Sequence, residues 1–270
     1  MKILDGRELA DYVKERQAKQ VRGLRQAWNV FPKLAIIVAN SDPVIDVYVR
    51  LKRLYSEDIL IDVDVYKEDQ PEVIARIQAL NADESVHGII VQLPLENPAQ
   101  TDEIVAAIAP EKDVDGLSAA GIYISATATA IDWLLAGYNV TLKDRCIAIV
   151  GQGRLVGAPL AKLWQTAGLT VATYDDTTID LASELRSADV IVTATGVPGL
   201  ITSTMISPGK AVVDAGTAVE NGALVGDIAA DVRERQDLTI TPVKGGVGPL
   251  TVAALFDNVI TAARATIKES

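Results

Sequence analysis

Short apolar runs alternating with helix-period segments constrain this chain more than any other feature. "KLAIIVAN", "IDVDVYK", "VHGIIVQLP", "RCIAIVG", "LTVATYD", "ADVIVTAT", "KAVVDAG" and "LTITPV" each read as a strand. Between them, apolar positions fall on a 3.6-residue period. Leu9, Val13, Val21, Leu24 and Trp28 predict an amphipathic helix over Gly6–Trp28. Asp42-Pro43 supplies a cap and a proline at the first helical position, which opens a helix through Tyr55. Further helices are expected over Pro71–Leu80, Asp102–Ala109, Ala128–Ala136, Val156–Ala167, Ile179–Arg186 and Leu250–Lys268. Strands separated by helices pair in parallel. The runs are filled by Val, Ile, Leu and Ala, with only 2 Phe in the chain, which suits strands buried between helical layers.

The segment "APEKDVDGLSAAGIYISATAT" interrupts this rhythm with small residues and loop signals, and marks a domain crossing. The expected fold is therefore α/β, with two αβα domains built on parallel sheets. Residues 1–122 and 250–270 form one, the last helix returning to it; residues 123–249 form the other, of Rossmann type. The 270 residues suffice for two modest domains.

Composition excludes several classes of function. The net charge of −11 repels nucleic acid phosphates, and no Lys/Arg cluster with interleaved aromatics is present. Cys146 is the single cysteine, too few for a disulfide framework or a zinc site, and reads as a core thiol in a strand. The one histidine, His87, precedes a buried strand and reads as structural. The start "MKILDGRELADYVKE" breaks into charge too early for a signal peptide, and no apolar run is long enough to span a bilayer. A cytoplasmic protein with neither nucleic acid nor membrane as partner is expected.

Five stretches carry chemistry. In "IVGQGRLVGAPLAKLW", Gly151, Gly153 and Gly157 lie between an apolar strand and a helix. Glycines there let backbone approach a pyrophosphate, whose charge sits on the helix N-terminus. Asp175 and Asp176 end the next strand, where a carboxylate accepts ribose hydroxyls and repels a 2′-phosphate. The competing reading is that they only cap the following helix. In "YVRLK", Tyr48 and Lys52 share a helix face, and a lysine beside apolar walls can lose its proton near neutral pH; on local evidence alone, a solvated lysine beside an aromatic is the better reading. Gln92 in "VQLPLE" ends a strand, where parallel sheets place ligand-binding groups; a plain polar strand end fits equally well. "PEKDVDG" puts Asp113 and Asp115 on a loop; they offer too few oxygens for a metal, and none is expected. "TPVKGGVGPLT" makes a sharp turn with exposed N–H groups, suited either to a ligand or to simple helix entry.

Taken in this order, the motifs resemble the bifunctional methylenetetrahydrofolate dehydrogenase/methenyltetrahydrofolate cyclohydrolase family over nearly the whole chain. "YVRLK" is similar to its Tyr-Val-x-x-Lys, and "VQLPLE" to Val-Gln-Leu-Pro-Leu-Pro with the last residue changed. "KDVDG" and "GGVGPLT" match directly. The resemblance implies a folate cleft between two domains, tetrahydrofolate derivatives as ligands and a homodimer. It carries the catalytic lysine onto Lys52, with Gln92 holding it in its working state and Asp115 anchoring the pterin. It implies that Tyr48 stacks on the folate and that Gly246, Pro249 and Thr251 line the cleft. A single-activity enzyme and a non-catalytic folate- or nucleotide-binding paralogue are the competing readings.

Three departures from the family pattern stand out. "SATA", Ser125–Ala128, replaces Pro-Cys-Thr-Pro, after a loop about seven residues shorter. Ile45 replaces a serine ahead of the tyrosine. The usual turn Gly-Arg-Ser-x-x-Val-Gly-x-Pro here runs Gly151, Gln152, Gly153, Arg154, Leu155, Val156, Gly157, Ala158, Pro159. The arginine that holds the 2′-phosphate of NADP is thus Gln152, and Asp175 and Asp176 stand where a His-Ser-Arg/Lys-Thr segment is usual. NAD is therefore expected over NADP, which remains the alternative because Arg154 could reach a phosphate.

Overall fold

The computed structural model describes residues 1–220 and 223–267. Its strands are β1 (Lys2–Ile3), β2 (Lys33–Val38), β3 (Asp62–Lys67), β4 (Gly88–Val91), β5 (Ile147–Val150), β6 (Val171–Tyr174), β7 (Val190–Thr193), β8 (Ala211–Asp214), β9 (Ala218–Glu220), β10 (Ala223–Val225) and β11 (Thr239–Ile240). Its α-helices are α1 (Gly6–Trp28), α2 (Pro43–Ile59), α3 (Val73–Ala82), α4 (Thr101–Ala106), α5 (Ala126–Gly137), α6 (Gly157–Thr166), α7 (Leu181–Ser187), α8 (Ala230–Arg233) and α9 (Val247–Ala265). Two compact units divide the chain. One comprises Asp11–Ala126 and Val252–Ser270, the other Met1–Ala10 and Thr127–Thr251.

The first of these holds a parallel sheet in the order β3-β2-β4. Central β2 is buried from Leu34 to Val38, which is why its sequence is continuously apolar rather than alternating. Ala35, Ile37, Ile89 and Val91 pack with Val73 and Ile77 of α3 and Ile104 of α4. Elsewhere in the unit, Tyr55 of α2 stacks on Phe256 of α9 at 5.4 Å between ring centroids. The Tyr55 hydroxyl donates to buried Gln17 Oε1 at 2.8 Å. His87 is buried and accepts the Lys33 N–H through Nδ1 at 3.3 Å, a structural role. A parallel bridge between Ile89 and Asp113 continues the sheet beyond β4, so the "KDVDG" loop leaves from beside that strand.

The other unit holds a parallel six-stranded sheet ordered β1-β11-β8-β7-β5-β6. The chain leaves β5 to build β6 on one side and β7 on the other. Strand order thus reverses at β5, and a crevice opens at the carboxyl ends of β5 and β7. Met1–Ala10 belongs here rather than with the 1–122 grouping expected from the sequence. Lys2 N–H donates to Leu238 O, and Leu4 N–H to Ile240 O, both at 2.9 Å, so β1 extends this sheet. A strand of two residues leaves no periodicity to read.

Cys146 is exposed, which corrects its reading as a core thiol. Burial begins one residue later at Ile147, and the Cys146 N–H is held at the strand entrance by Asp189 Oδ2 at 3.0 Å. α5 starts two residues earlier than expected because Ala126 and Ala128 are both fully buried, a packing only small side chains permit. α9 starts at Val247, and Lys268, its expected end, lies outside the described residues. The antiparallel β9–β10 hairpin escaped the sequence reading although Asn221-Gly222 between the strands signals one, and the short α8 escaped it too. Among the described residues no helix is long and apolar enough to cross a membrane.

Candidate active and nucleotide sites

Lys52 lies on α2, one turn after Tyr48, and both are half-buried. Asp42 caps this helix, its Oδ1 accepting the Val44 N–H at 2.8 Å, and Pro43 occupies the first turn as the sequence requires. The Lys52 ammonium donates to Gln92 Oε1 at 2.6 Å. Gln92 follows the last residue of β4; its N–H donates to Ile37 O at 2.8 Å and its Nε2 to Leu93 O at 3.2 Å. The amide is thereby turned so that its oxygen faces the lysine.

Burial pushes the Lys52 pKa below its ordinary 10.5, against the opposing pull of Asp115. Burial likewise raises Asp115, with Lys52 lowering it and Asp113 adding repulsion. Each charge is disfavoured by desolvation and relieved by the other. Burial also raises Tyr48. Asp113, in contrast, turns inward: it is 1 % exposed, and its carboxylate accepts the N–H groups of Ser118 at 2.8 Å and Leu117 at 3.4 Å. It organises the loop that presents Asp115. Asn258 of α9 fixes the same loop by donating to Val114 O at 2.8 Å and Ile124 O at 3.0 Å.

In the other unit, the glycine turn has the form its sequence demands. Gly151 has φ +94°, and a Cβ there would lie 2.6 Å from Ala194 O. A Cβ on buried Gly157 would overlap the Gly151 carbonyl, so the start of α6 can pack on the turn only as glycine. Gly153 faces open space. Gly153, Arg154, Leu155 and Val156 form one wall of a crevice of about 270 Å³, facing Ala194–Gly196 and Ala215–Thr217. The turn, whose glycines bare the backbone and which leads into a helix N-terminus, fits a dinucleotide pyrophosphate.

Gln152 and Arg154 are exposed, and Gln152 Nε2 donates to Gly151 O at 3.0 Å. Asp175 and Asp176 are exposed beyond β6. Asp175 Oδ1 accepts both the Thr177 N–H at 3.0 Å and its hydroxyl at 2.6 Å, and these bonds lower its pKa. It does not cap α7; Asp180 does, accepting the Ser183 N–H at 3.0 Å. A larger hollow of about 400 Å³ lies at the amino ends of the strands. Its cations are already engaged, Lys210 and Arg145 with Asp189 at 2.9 and 3.9 Å and Lys2 with Tyr138 O at 2.5 Å.

Comparison with known proteins agrees with this geometry. Residues 4–115 match the catalytic domain of tetrahydrofolate dehydrogenase/cyclohydrolase, and residues 125–267 match the NAD(P)-binding domain of the same enzyme. The chain belongs to the tetrahydrofolate dehydrogenase/cyclohydrolase family. The bifunctional protein FolD of Bordetella avium is 39% identical, over 98% of both chains. A crystal structure of the bifunctional FolD enzyme from Campylobacter jejuni aligns with TM-score 0.92 at 34% identity, covering 98% of this chain and 99% of that one. The Trypanosoma brucei enzyme, solved with NADP and an inhibitor, aligns with TM-score 0.92 at 29% identity, covering 99% and 98%.

The chain is thus a methylenetetrahydrofolate dehydrogenase/methenyltetrahydrofolate cyclohydrolase with a nicotinamide nucleotide-binding domain. Within this family frame, Lys52, Gln92, Asp115 and Tyr48 fall in one unit. Gly246, Pro249 and Thr251 fall in the other, at the entrance to α9. There Gly6 N–H donates to Gly245 O at 2.9 Å, and a Cβ on Gly6 would overlap Gly246 O. Thr251 Oγ1 donates back to Val247 O at 3.3 Å. The crevice walls at Ala194–Gly196 and Ala215–Thr217 escaped the sequence reading; the signal for them is the position just after β7 and β8.

Proposed function

We propose that this enzyme oxidises 5,10-methylenetetrahydrofolate with NAD in preference to NADP, and hydrolyses the methenyl product to 10-formyltetrahydrofolate through Lys52. The 2.6 Å bond from Lys52 to Gln92, in a half-buried site beside Asp115, carries the reading. When bound, the nicotinamide supplies a hydride acceptor; orientation is most of what that step requires. Hydrolysis needs proton transfers. Water adds to the bridging carbon and gives up both of its protons as the formyl C=O forms; N5 takes one as its bond to that carbon breaks, and the other is released to solvent. A lysine whose pKa is lowered by burial can take a proton from the oxygen and hand it to N5. Gln92 holds the ammonium without adding charge, Asp115 anchors the pterin, and Tyr48 offers a ring for stacking. Gly246, Pro249 and Thr251 line the folate side. The enzyme is expected to act as a cytoplasmic homodimer.

The preference for NAD is supported by the exposed Asp175 carboxylate, whose two bonds both fall on Oδ1. Oδ2 can accept a ribose hydroxyl, and the pair Asp175–Asp176 repels a 2′-phosphate. Steady-state kinetics with both cofactors, followed by decay of the methenyl absorbance, test the whole reading. NADH formation with methenyl decay is expected; a clear preference for NADP would overturn the cofactor choice, and reduced nicotinamide without methenyl decay would leave a dehydrogenase alone.

Gln92 gives a sharper test. Gln92→Glu places a carboxylate where the neutral amide now accepts the lysine. An opposite charge this close raises a lysine pKa by about 1–3 units. The rising limb of the cyclohydrolase pH profile should therefore move alkaline by about one unit or more. An unmoved profile would remove the Lys52–Gln92 pair from catalysis.

A further inference from the structure

Asp227 sits in "VGDIAAD", a stretch with no motif, and is 0 % exposed. Its Oδ2 accepts the Thr193 hydroxyl at 2.5 Å and the Thr195 N–H at 2.7 Å. Its Oδ1 accepts no hydrogen bond among the described residues and lies against Gly216, where a Cβ would overlap it. Thr193 ends β7, and Thr195 and Gly216 line the crevice that faces the glycine turn. One carboxylate therefore touches both loops of the wall opposite Gly153–Val156.

Asp227 is itself held tightly. Its N–H donates to Asp214 Oδ1 at 3.0 Å, and its carbonyl accepts the Ile201 N–H at 3.0 Å. Asp214 Oδ1 also accepts the Gly216 N–H at 3.2 Å, while Oδ2 accepts Arg233 Nη2 at 2.7 Å. Arg233 reaches on to Thr241 O. Asp214 is thus neutralised by an arginine, whereas Asp227 has only a hydroxyl and an amide. A buried carboxylate with an unpartnered oxygen is costly, and a fold that needed only a spacer would do as well with an apolar side chain.

We infer that Asp227 is a positioning residue for the nicotinamide cofactor, its carboxylate setting the spacing of the β7 and β8 loops that form the far wall of the crevice. The inference rests on the crevice being the cofactor seat. Asp227→Asn keeps one acceptor for Thr193 and Thr195 but turns an NH2 group toward Gly216, where the loop must give way. Thr193→Val removes the 2.5 Å donor while keeping a similar shape. Both are to be measured on the full-length protein by fluorescence titration with NADH, by thermal melting and by steady-state kinetics.

For Asp227→Asn, the NADH Kd and the cofactor KM should each rise about tenfold, with kcat at saturating cofactor changed less than about threefold. For Thr193→Val a rise of about threefold in Kd is expected, and this variant decides the matter if the first does not fold. Lowered melting temperatures with Kd unchanged would make Asp227 merely structural and overturn the inference. Gly157→Val, which overlaps the Gly151 carbonyl, separates the two levels. If it loses NADH while the other two bind as wild type, only the inference falls; if it too binds as wild type, the cofactor seat is elsewhere and both fall.

Discussion

Lys52→Met is expected to lower methenyl hydrolysis by about 10²–10⁴-fold, the usual contribution of a positioned acid–base group. Oxidation of the methylene form should persist within about tenfold, because hydride transfer depends on orientation more than on a proton. Methionine keeps a long unbranched stem in the slot on α2 while deleting the ammonium. The Gln92 oxygen loses its 2.6 Å donor, and Asp115 loses the cation that opposes its burial. Stability separates this from unfolding. The folded-state pKa of Lys52 lies below the ordinary 10.5, so between the two values the unfolded chain binds more protons. Stability from this group therefore rises with pH across that window. The methionine variant should lack this rise, so its stability should depend less on pH across that window. Near-normal decay of the methenyl absorbance in a folded variant would sink the role of Lys52.

How much of this was legible in the sequence depended on distance along the chain. The start of α2 was plain, because Asp42 and Pro43 are local signals of cap and first turn, while its end, expected at Tyr55, lies one turn on at Ile59. β2 and the turn after β5 were equally plain, since continuous burial and a tight glycine approach each restrict composition at one place. The pairing of Lys52 with Gln92 spans 40 residues, and no local rule links a helix lysine to a strand-end glutamine. Only the family resemblance joined them, and the parallel sheet supplies the physical reason. β1 was lost because two residues carry no period, and Cys146 was misread because apolar neighbours hid that burial starts at Ile147. Asp227 was illegible for a different reason. Its partners Thr193, Thr195 and Gly216 become neighbours only when β7 and β8 lie side by side.

Cofactor choice should reverse in the double variant Gln152→Arg/Asp175→Asn. Asparagine retains the Oδ1 that accepts both bonds from Thr177, so the turn after β6 keeps its shape while a negative charge leaves. Arginine at 152, in the exposed second position of the glycine turn, supplies a planar cation matched to a phosphate. A charge-assisted contact is worth about 1.5–3 kcal/mol, and each 1.4 kcal/mol is about tenfold. Adding attraction and deleting repulsion should together move the ratio of kcat/KM for NAD over NADP by about 10²–10³-fold toward NADP. Each single variant should supply part of this, and Arg154→Gln alone should change it little. Both groups are exposed, so the shift should shrink as ionic strength rises. A ratio that moves less than about threefold would show that neither position faces the 2′-oxygen. A large loss of NADP use in Arg154→Gln would instead make Arg154 the phosphate partner, and with it the carboxylates would cease to decide the cofactor.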